Sequence, residues 1–319
     1  MRPSDFAFWF ATSQPALTKC ALWLWAQTYI RFHYRRSQIE HWLLKDLLDM
    51  LQYRVPVATK LGNGMKIRVA WNDLVGREIF DHGFYEKETV AVIKALLRPG
   101  TIFFDIGAHV GQYTLTASSL VGETGQVHSF EPDPDTFRWL AANTRLNGLR
   151  NVHLNQLGVC DDNSTKQLFL ATAHDVGSNS LSPPSNYSGK SFAVRCTTLN
   201  DYVHMNYIPR IDVMKMDIEG AEYSALIGTS EILRRKDKPT LLIEFEEPRQ
   251  QAFGSSCAKL ASLLRDYGYA LYVVGQFKEE YVPKFDDPLT FNVLAIPETK
   301  KVTILKMLNG NLDAKHSDS

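Results

Sequence analysis

The chain has 319 residues, 45% of them hydrophobic, and its 35 Lys+Arg against 35 Asp+Glu give a formal net charge of zero. That length can bury a large core and exceeds one typical domain. The balanced charge argues against a nucleic-acid binder held by bulk positive charge. Cys20, Cys160, Cys196 and Cys257 lie far apart with no C-x-x-C pair, so there is neither a zinc signature nor a disulfide framework. That usage suits a reducing, cytoplasmic setting.

Residues 1–55 read as a helical extension. The apolar run Phe6 to Phe10 is too short for a signal-peptide core, and Thr12 to Pro15 interrupts it. Ala16 to Ile30 is rich in Leu and Trp but contains Lys19 and Gln27, short of the roughly 20 apolar residues that a membrane span needs. Arg31 to Arg36 is basic and aromatic. Two roles stay open for residues 1–36: peripheral membrane contact with Trp23 and Trp25 at headgroup depth, or packing on the core or on a second copy. A second helix begins at the capping box Ser37 to Glu40 and carries the stripe Ile39, Trp42, Leu43, Leu47, Met50 and Leu51.

Residues 56–100 predict a lead-in. Val55 to Thr59 and Met65 to Val69 flank Gly62-Asn63-Gly64, a hairpin signal. A helical pattern then runs from Thr89 to Leu97. Glu86, just before it, either reaches a ligand or is a charge at the helix start.

The stretch Thr101 to Thr116 is the organising corner of the chain. Ile102, Phe103 and Phe104 form a strand after the turn at Pro99-Gly100, and a helix starts beyond Gly111. Between them lies D-x-G-x-x-x-G: Asp105, Gly107 and Gly111. A strand–glycine loop–helix corner presents backbone N–H groups and the positive helix end to a nucleotide-like ligand. The spacing fits neither G-x-G-x-x-G nor G-x-x-x-x-G-K-[ST], which disfavours NAD and a phosphate loop. An Asp at the mouth suits an ammonium, and S-adenosylmethionine has one. Glu131, twenty residues past Gly111 at the end of the strand Gln126 to Phe130, can accept both ribose hydroxyls.

From residue 101 strands and helices alternate, as in a mostly parallel sheet covered on both faces. Asp133-Pro134 starts a helix that stops at Asn147-Gly148. Val152 to Val159 reads as the third strand, with Gln156 and Leu157 at its end beside the expected adenine position. Residues 166–171 and 192–197 read as an extra hairpin. The loop Gly177 to Gly189 between them, with His174 and Tyr187, is either a lid over the substrate or a surface loop. Ile211 to Asp217 and Thr240 to Glu247 are the fourth and fifth strands, both closing on carboxylates at the ligand-binding edge. Ser255 to Tyr267 is a helix, Tyr269 to Gly275 and Phe291 to Pro297 are the last strands, and the polar tail after 309 is expected to be disordered.

The series FDIGAHVGQYT, VHSFEPDP, LNDYV, VMKMDIEGAE and LLIEFEEP, with GFYEKETV ahead of it, resembles the FkbM family of S-adenosylmethionine-dependent methyltransferases over roughly residues 60–297. The resemblance implies an α/β fold with a Rossmann-like seven-strand class I methyltransferase sheet, its last strand antiparallel; the N-terminal helical extension lies outside the match. With the residue patterns above, the chain is expected to divide into 1–55 (extension), 56–100 (lead-in), 101–298 (methyltransferase domain) and 299–319 (C-terminal helix or tail). The resemblance also implies S-adenosyl-L-methionine as cofactor and O-methylation of a small-molecule or carbohydrate hydroxyl; the balanced charge adds the expectation of no nucleic-acid partner, and a noncatalytic partner protein that keeps the fold or an NAD-linked oxidoreductase stay as alternatives. The expected cofactor contacts are Asp105, Gly107, Ala108, Gly111, Glu131, Gln156 and Asp217. The family usually has Asn where this chain has His109. An alcohol needs its proton removed or polarised before it attacks a sulfonium methyl, and the candidate bases are His109, Asp217, Glu219 and Glu244. The expectation is a site without metal, with Mg²⁺ on Asp217 and Glu244 as the open alternative.

Overall fold

In a computed structural model of the chain, residues 55–172, 175–283 and 290–316 are described. The expectations for residues 1–54, including the membrane or oligomer contact through residues 1–36, and for His174 lie outside them. No helix among the described residues is long and apolar enough to cross a membrane.

In chain order the hairpin is β1 (Pro56–Lys60) and β2 (Lys66–Ala70), followed by α1 (Leu74–His82) and α2 (Lys87–Leu96). The organising corner is β3 (Ile102–Ile106) and α3 (Gln112–Val121); β4 (Gln126–Phe130), α4 (Pro134–Leu146) and β5 (Val152–Asn155) come after it. Next come β6 (Gly158–Val159), β7 (Thr165–Ala171), β8 (Tyr187–Thr197), α5 (Leu199–Met205) and β9 (Val213–Met216). The chain continues with α6 (Glu222–Ile227), α7 (Ser230–Arg234), β10 (Thr240–Glu246), α8 (Glu247–Ala252) and α9 (Cys257–Asp266). It closes with β11 (Tyr269–Val273), β12 (Thr290–Pro297) and α10 (Lys301–His316).

Seven strands form one sheet in the order β11-β12-β10-β9-β3-β4-β5. β10, β9, β3, β4 and β5 run parallel, whereas β12 is antiparallel to both of its neighbours. This is the class I methyltransferase arrangement with its reversed last strand, read from strand order and direction alone. The order reverses at β3, where β9 lies on one side and β4 on the other. Open α/β sheets bind their ligands at such a switch point, outside the carboxyl ends of the strands.

Alternation along the strands builds two cores. Phe104, Met214 and Ile243 face one side with residues of α5, α6, α7 and α9; Phe103, Val213 and Leu242 face the other with residues of α2, α3 and α10. The β1–β2 hairpin closes a third cluster around Trp71, Ile67 and Leu115. Its outer end is tied to α4, because Asn143 accepts from the Arg68 N–H and donates to the Arg68 carbonyl (2.7 and 2.9 Å).

Two expectations are corrected, and one element is added. The third strand is not continuous: β5 stops at Asn155, and Gly158–Val159 leaves the main sheet to pair with β8 in the three-stranded sheet β6-β8-β7. Gly158 sits against Cys196, whose Sγ would lie 2.9 Å from an added Cβ, so a side chain there would require Cys196 to shift. The tail is not irregular after 309, since α10 runs to His316, seated by buried Ile304 and Leu308 on the second core. The added element is the helix Leu74–His82, which Asp73 caps by accepting from the Gly76 N–H at 3.0 Å.

Candidate functional site

The loop after β3 is held from three sides. The N–H groups of Gly107 and Ala108 both donate to the Phe130 carbonyl (3.0 and 2.9 Å). The backbone N–H of His109 donates to Glu131 Oε2 at 2.9 Å, and Glu131 Oε1 accepts from the Asp133 N–H at 3.0 Å. Glu131 is therefore pinned at the end of β4, where it clamps the loop. Gly107 has φ +80°, and a Cβ there would meet the Asp217 carbonyl oxygen at 1.8 Å. This glycine is required by close packing of two strand ends as well as by its left-handed backbone. His109 also has positive φ, 49°, an uncommon conformation for a side-chain-bearing residue.

A cavity of about 390 Å³ opens at this corner, lined by Gly107, Ala108, His109, Glu131, Leu157, Asp217, Glu219, Glu244 and neighbouring residues. That volume lies in the usual range for small-ligand pockets, about 300–1,000 Å³. Phe130, Leu157, Val159 and Leu168 give it an apolar wall, while the start of α3 and the carboxylates give it a polar one.

Not every expected contact reaches this cavity. Asp105 does not line it: strand alternation turns the side chain away from the mouth and under α3, where Asp105 is fully buried. Its Oδ2 accepts from Thr114 Oγ1 at 2.6 Å, and Oδ1 has no hydrogen-bond partner among the described residues. Burial raises its pKa, opposed by the Lys215 ammonium and the Thr114 hydroxyl. Gly111 lies behind the lining as the N-cap of α3, with φ +98° and Leu140 filling the space of a Cβ. Gln156 is exposed at the break after β5, and its neighbour Leu157 faces the cavity instead. Glu86 is not among the lining residues either: its two oxygens accept from Tyr113 Oη (2.6 Å) and Asn292 Nδ2 (2.7 Å), while Tyr85 beside it does line the cavity.

The four candidate bases share the cavity. Asp217 follows β9 directly, and Glu219 stands two residues on with φ 58°. Glu244 lies inside β10, which pairs with β9. One carboxylate oxygen from each of the three lies within 4.8 Å of the others. Lys215 Nζ donates to Asp217 Oδ2 at 2.7 Å and stands 4.7 Å from the Tyr113 ring centre. Although burial alone would raise the pKa of Asp217, that ammonium holds it below the ordinary value. Glu244 goes the other way: burial, and then the charges of Asp217 and Glu219, push its carboxyl well up. Glu219 is raised by burial and Asp217, opposed by Arg249 Nη2 at 3.1 Å. The proton affinities of the neighbouring acids Asp217 and Glu244 are thus pushed in opposite directions.

The loop between β7 and β8 lies over this cluster. Asp175, Gly177, Ser178, Asn179, Ser180 and Leu181 line the cavity. Ser180 Oγ donates to the Glu219 carbonyl (2.8 Å), Asn179 Nδ2 donates to Asp133 Oδ2 (3.0 Å), and Arg249 Nη1 reaches the Ser178 carbonyl (3.5 Å). Tyr187 stays outside, edge-on to Phe169 at 5.6 Å. Sequence reasoning missed Lys215, Arg249 and Tyr85. A lysine between Met214 and Met216 in a buried strand was the available signal for the first, because such a charge needs a partner.

Glu222 supports the cluster from below. It is fully buried, accepts from the Ile218 N–H (2.8 Å) and from Gln250 Nε2 (2.5 Å), and burial raises its pKa to about 7. An acid raised in the folded state contributes stability that is complete below its unfolded value near 4.5 and is lost as pH rises through about 7. Glu222→Gln should therefore flatten the fall in melting temperature between pH 4.5 and 7, by the equivalent of about 3 kcal/mol. Parallel pH profiles for the two proteins would show that Glu222 does not carry this dependence.

The chain is similar to known proteins. The methyltransferase FkbM domain matches residues 105–271. The chain is similar to the 31-O-demethyl-FK506 methyltransferase FkbM of Streptomyces tacrolimicus, with 24% identity over 224 residues, covering 61% of this chain and 80% of that one. Among solved structures it is similar to a precorrin-6y C5,15-methyltransferase from Geobacter metallireducens GS-15, with 15% identity and a TM-score of 0.39, covering 67% of this chain and 88% of that one. It is also similar to a SAM-dependent O-methyltransferase from Thermotoga maritima, with 10% identity and a TM-score of 0.40, covering 79% of this chain and 81% of that one.

Proposed function

Because the chain belongs to the FkbM-domain methyltransferases, whose cofactor is S-adenosylmethionine, we propose that it methylates a hydroxyl oxygen of a small-molecule or carbohydrate acceptor. The observation that carries the reading is the trio Asp217, Glu219 and Glu244 on the wall of the cavity at the switch point. The name of the Streptomyces relative, a 31-O-demethyl compound methyltransferase, points to oxygen as well.

The residues present fit the cofactor. Glu131 is fixed at the cavity wall by two backbone N–H groups, in a place suited to ribose hydroxyls. Gly107 and Ala108 bring main chain to the cavity surface, and Leu157 and Val159 supply an apolar wall for a base. Asp105 acts from behind, by holding Thr114 and balancing Lys215. The bound cofactor supplies an electrophilic methyl group.

This chain's own residues then have two tasks. The loop from Asp175 to Leu181 covers the carboxylates and keeps water from the reacting oxygen. The carboxylates orient the acceptor hydroxyl and accept its proton. Glu244 suits the second task when ionised, because its raised proton affinity makes it a stronger base than an ordinary carboxylate. His109 lines the same cavity and is the other group placed to take that proton.

The test is transfer of a labelled methyl group to a panel of hydroxylated acceptors, with the product linkage identified. An alkali-stable methyl ether is the expected product. A methylated amine or carbon, formed with the same protein and cofactor, would overturn the oxygen assignment.

A further inference from the structure

The three clustered carboxylates have fewer positive partners than their charge demands. Among the described residues, six carboxylates line the cavity against Lys215 and Arg249. Lys215 is taken up by Asp217 Oδ2, and Arg249 is divided between Glu219 and Glu246, at 3.1 and 3.3 Å. A second observation is independent of the count: Glu244 is only 9% exposed, and its buried Oε2 has no hydrogen-bond partner among the described residues. A buried carboxylate oxygen without a donor is costly, and this one belongs to the group whose oxygens converge within 4.8 Å.

The donor set selects what would satisfy it. All three ligands are hard carboxylate oxygens, with no Cys or His in the group; such sets favour Mg²⁺, Mn²⁺ or Ca²⁺ over zinc. Oxygens on opposite sides of Mg²⁺ are about 4.2 Å apart, and around Ca²⁺ about 5 Å. A spread within 4.8 Å is on the scale of one divalent ion's coordination shell. The three carboxylates come from within β10, from just beyond the end of its partner β9, and from a left-handed residue two positions on, so paired strands frame the site.

We propose that Asp217, Glu219 and Glu244 form a divalent-cation site of the Mg²⁺/Mn²⁺ class in the wall of the cavity. This rests on the proposed methyl transfer only for the ion's purpose, which is to polarise the acceptor hydroxyl and favour loss of its proton. In that state the three carboxylates are ligands, and proton acceptance falls to His109.

The experiment titrates the full-length, chelator-treated protein with Mn²⁺ and follows the free-ion electron paramagnetic resonance signal, with no methyl donor present. One Mn²⁺ per chain is expected, with affinity lowered at least tenfold in Glu244→Gln and in Glu219→Gln, each checked for an unchanged melting curve. Absence of stoichiometric binding in the unmodified protein overturns the site, and this arm does not depend on how the variants fold. Methyl transfer that persists undiminished in chelator also overturns it while leaving the methyltransferase reading intact. Mn²⁺ binding in a protein that transfers no methyl group supports the site and removes the functional reading instead.

Discussion

Replacing Glu244 with Gln, or Asp217 with Asn, should lower methyl-transfer turnover by roughly 10²–10⁴-fold, the range typical for loss of a positioned base, while affinity for S-adenosylmethionine changes little. Both substitutions keep the shape of the side chain and remove its charge. Glu244 is the carboxylate whose burial and neighbours raise its proton affinity. Asp217 is the one that Lys215 keeps ionised, so Asp217→Asn also frees that buried ammonium and should show the larger loss of stability. Single-turnover rates and calorimetry on the same samples separate the two effects. Full turnover in both variants would move the chemistry to His109.

Gly107→Ala should be the most damaging single-methyl change in the chain's cofactor corner. Positive φ costs a side-chain-bearing residue about 1–3 kcal/mol. The added Cβ would also stand 1.8 Å from the Asp217 carbonyl oxygen, a backbone atom that cannot rotate away. β3 and β9 must then separate, and Asp217 moves with its strand end. The expected result is destabilisation of more than about 3 kcal/mol with loss of both cofactor binding and turnover. Gly148→Ala is the contrast: its φ is +64° but nothing lies within 4 Å of the added atom, so only the backbone strain remains. Equal melting temperatures for the two variants would show that the strand-end contact is not tight.

Local chemistry made much of this legible. Gly62-Asn63-Gly64 marked the hairpin, Asp133-Pro134 marked the start of α4, and the carboxylates closing the fourth and fifth strands marked the edge where the cavity lies. What the sequence did not show depended on direction or on partners distant in sequence. Asp105 sits at the right place along its strand, but the two-residue period turns it under α3. Gln156 was assigned to a strand that breaks there, because Gly158 pairs with β8 nearly forty residues away. Of the two readings of Glu86, the helix-start position is the one found: it is the N-cap of α2, with its oxygens held by Tyr113 and by Asn292 of the last strand. Lys215 reads as an oddity in a strand until its neighbours Asp217, Asp105 and the Tyr113 ring are placed around it. Glu219 has a left-handed backbone, and one of its oxygens lies within 4.8 Å of oxygens from Asp217 and Glu244, a proximity that the linear sequence does not show.

Titration calorimetry with S-adenosylmethionine and with NAD, on the unmodified protein and on Glu131→Ala, tests the central claim most directly. Glu131 closes the corner by binding the His109 N–H and faces the cavity, and losing a charge-assisted hydrogen bond costs about 1.5–3 kcal/mol, roughly a 10- to 150-fold loss of affinity. The account predicts binding of S-adenosylmethionine without NAD, weakened by that factor in the variant; NAD binding, or equal S-adenosylmethionine affinity in the two proteins, would contradict it.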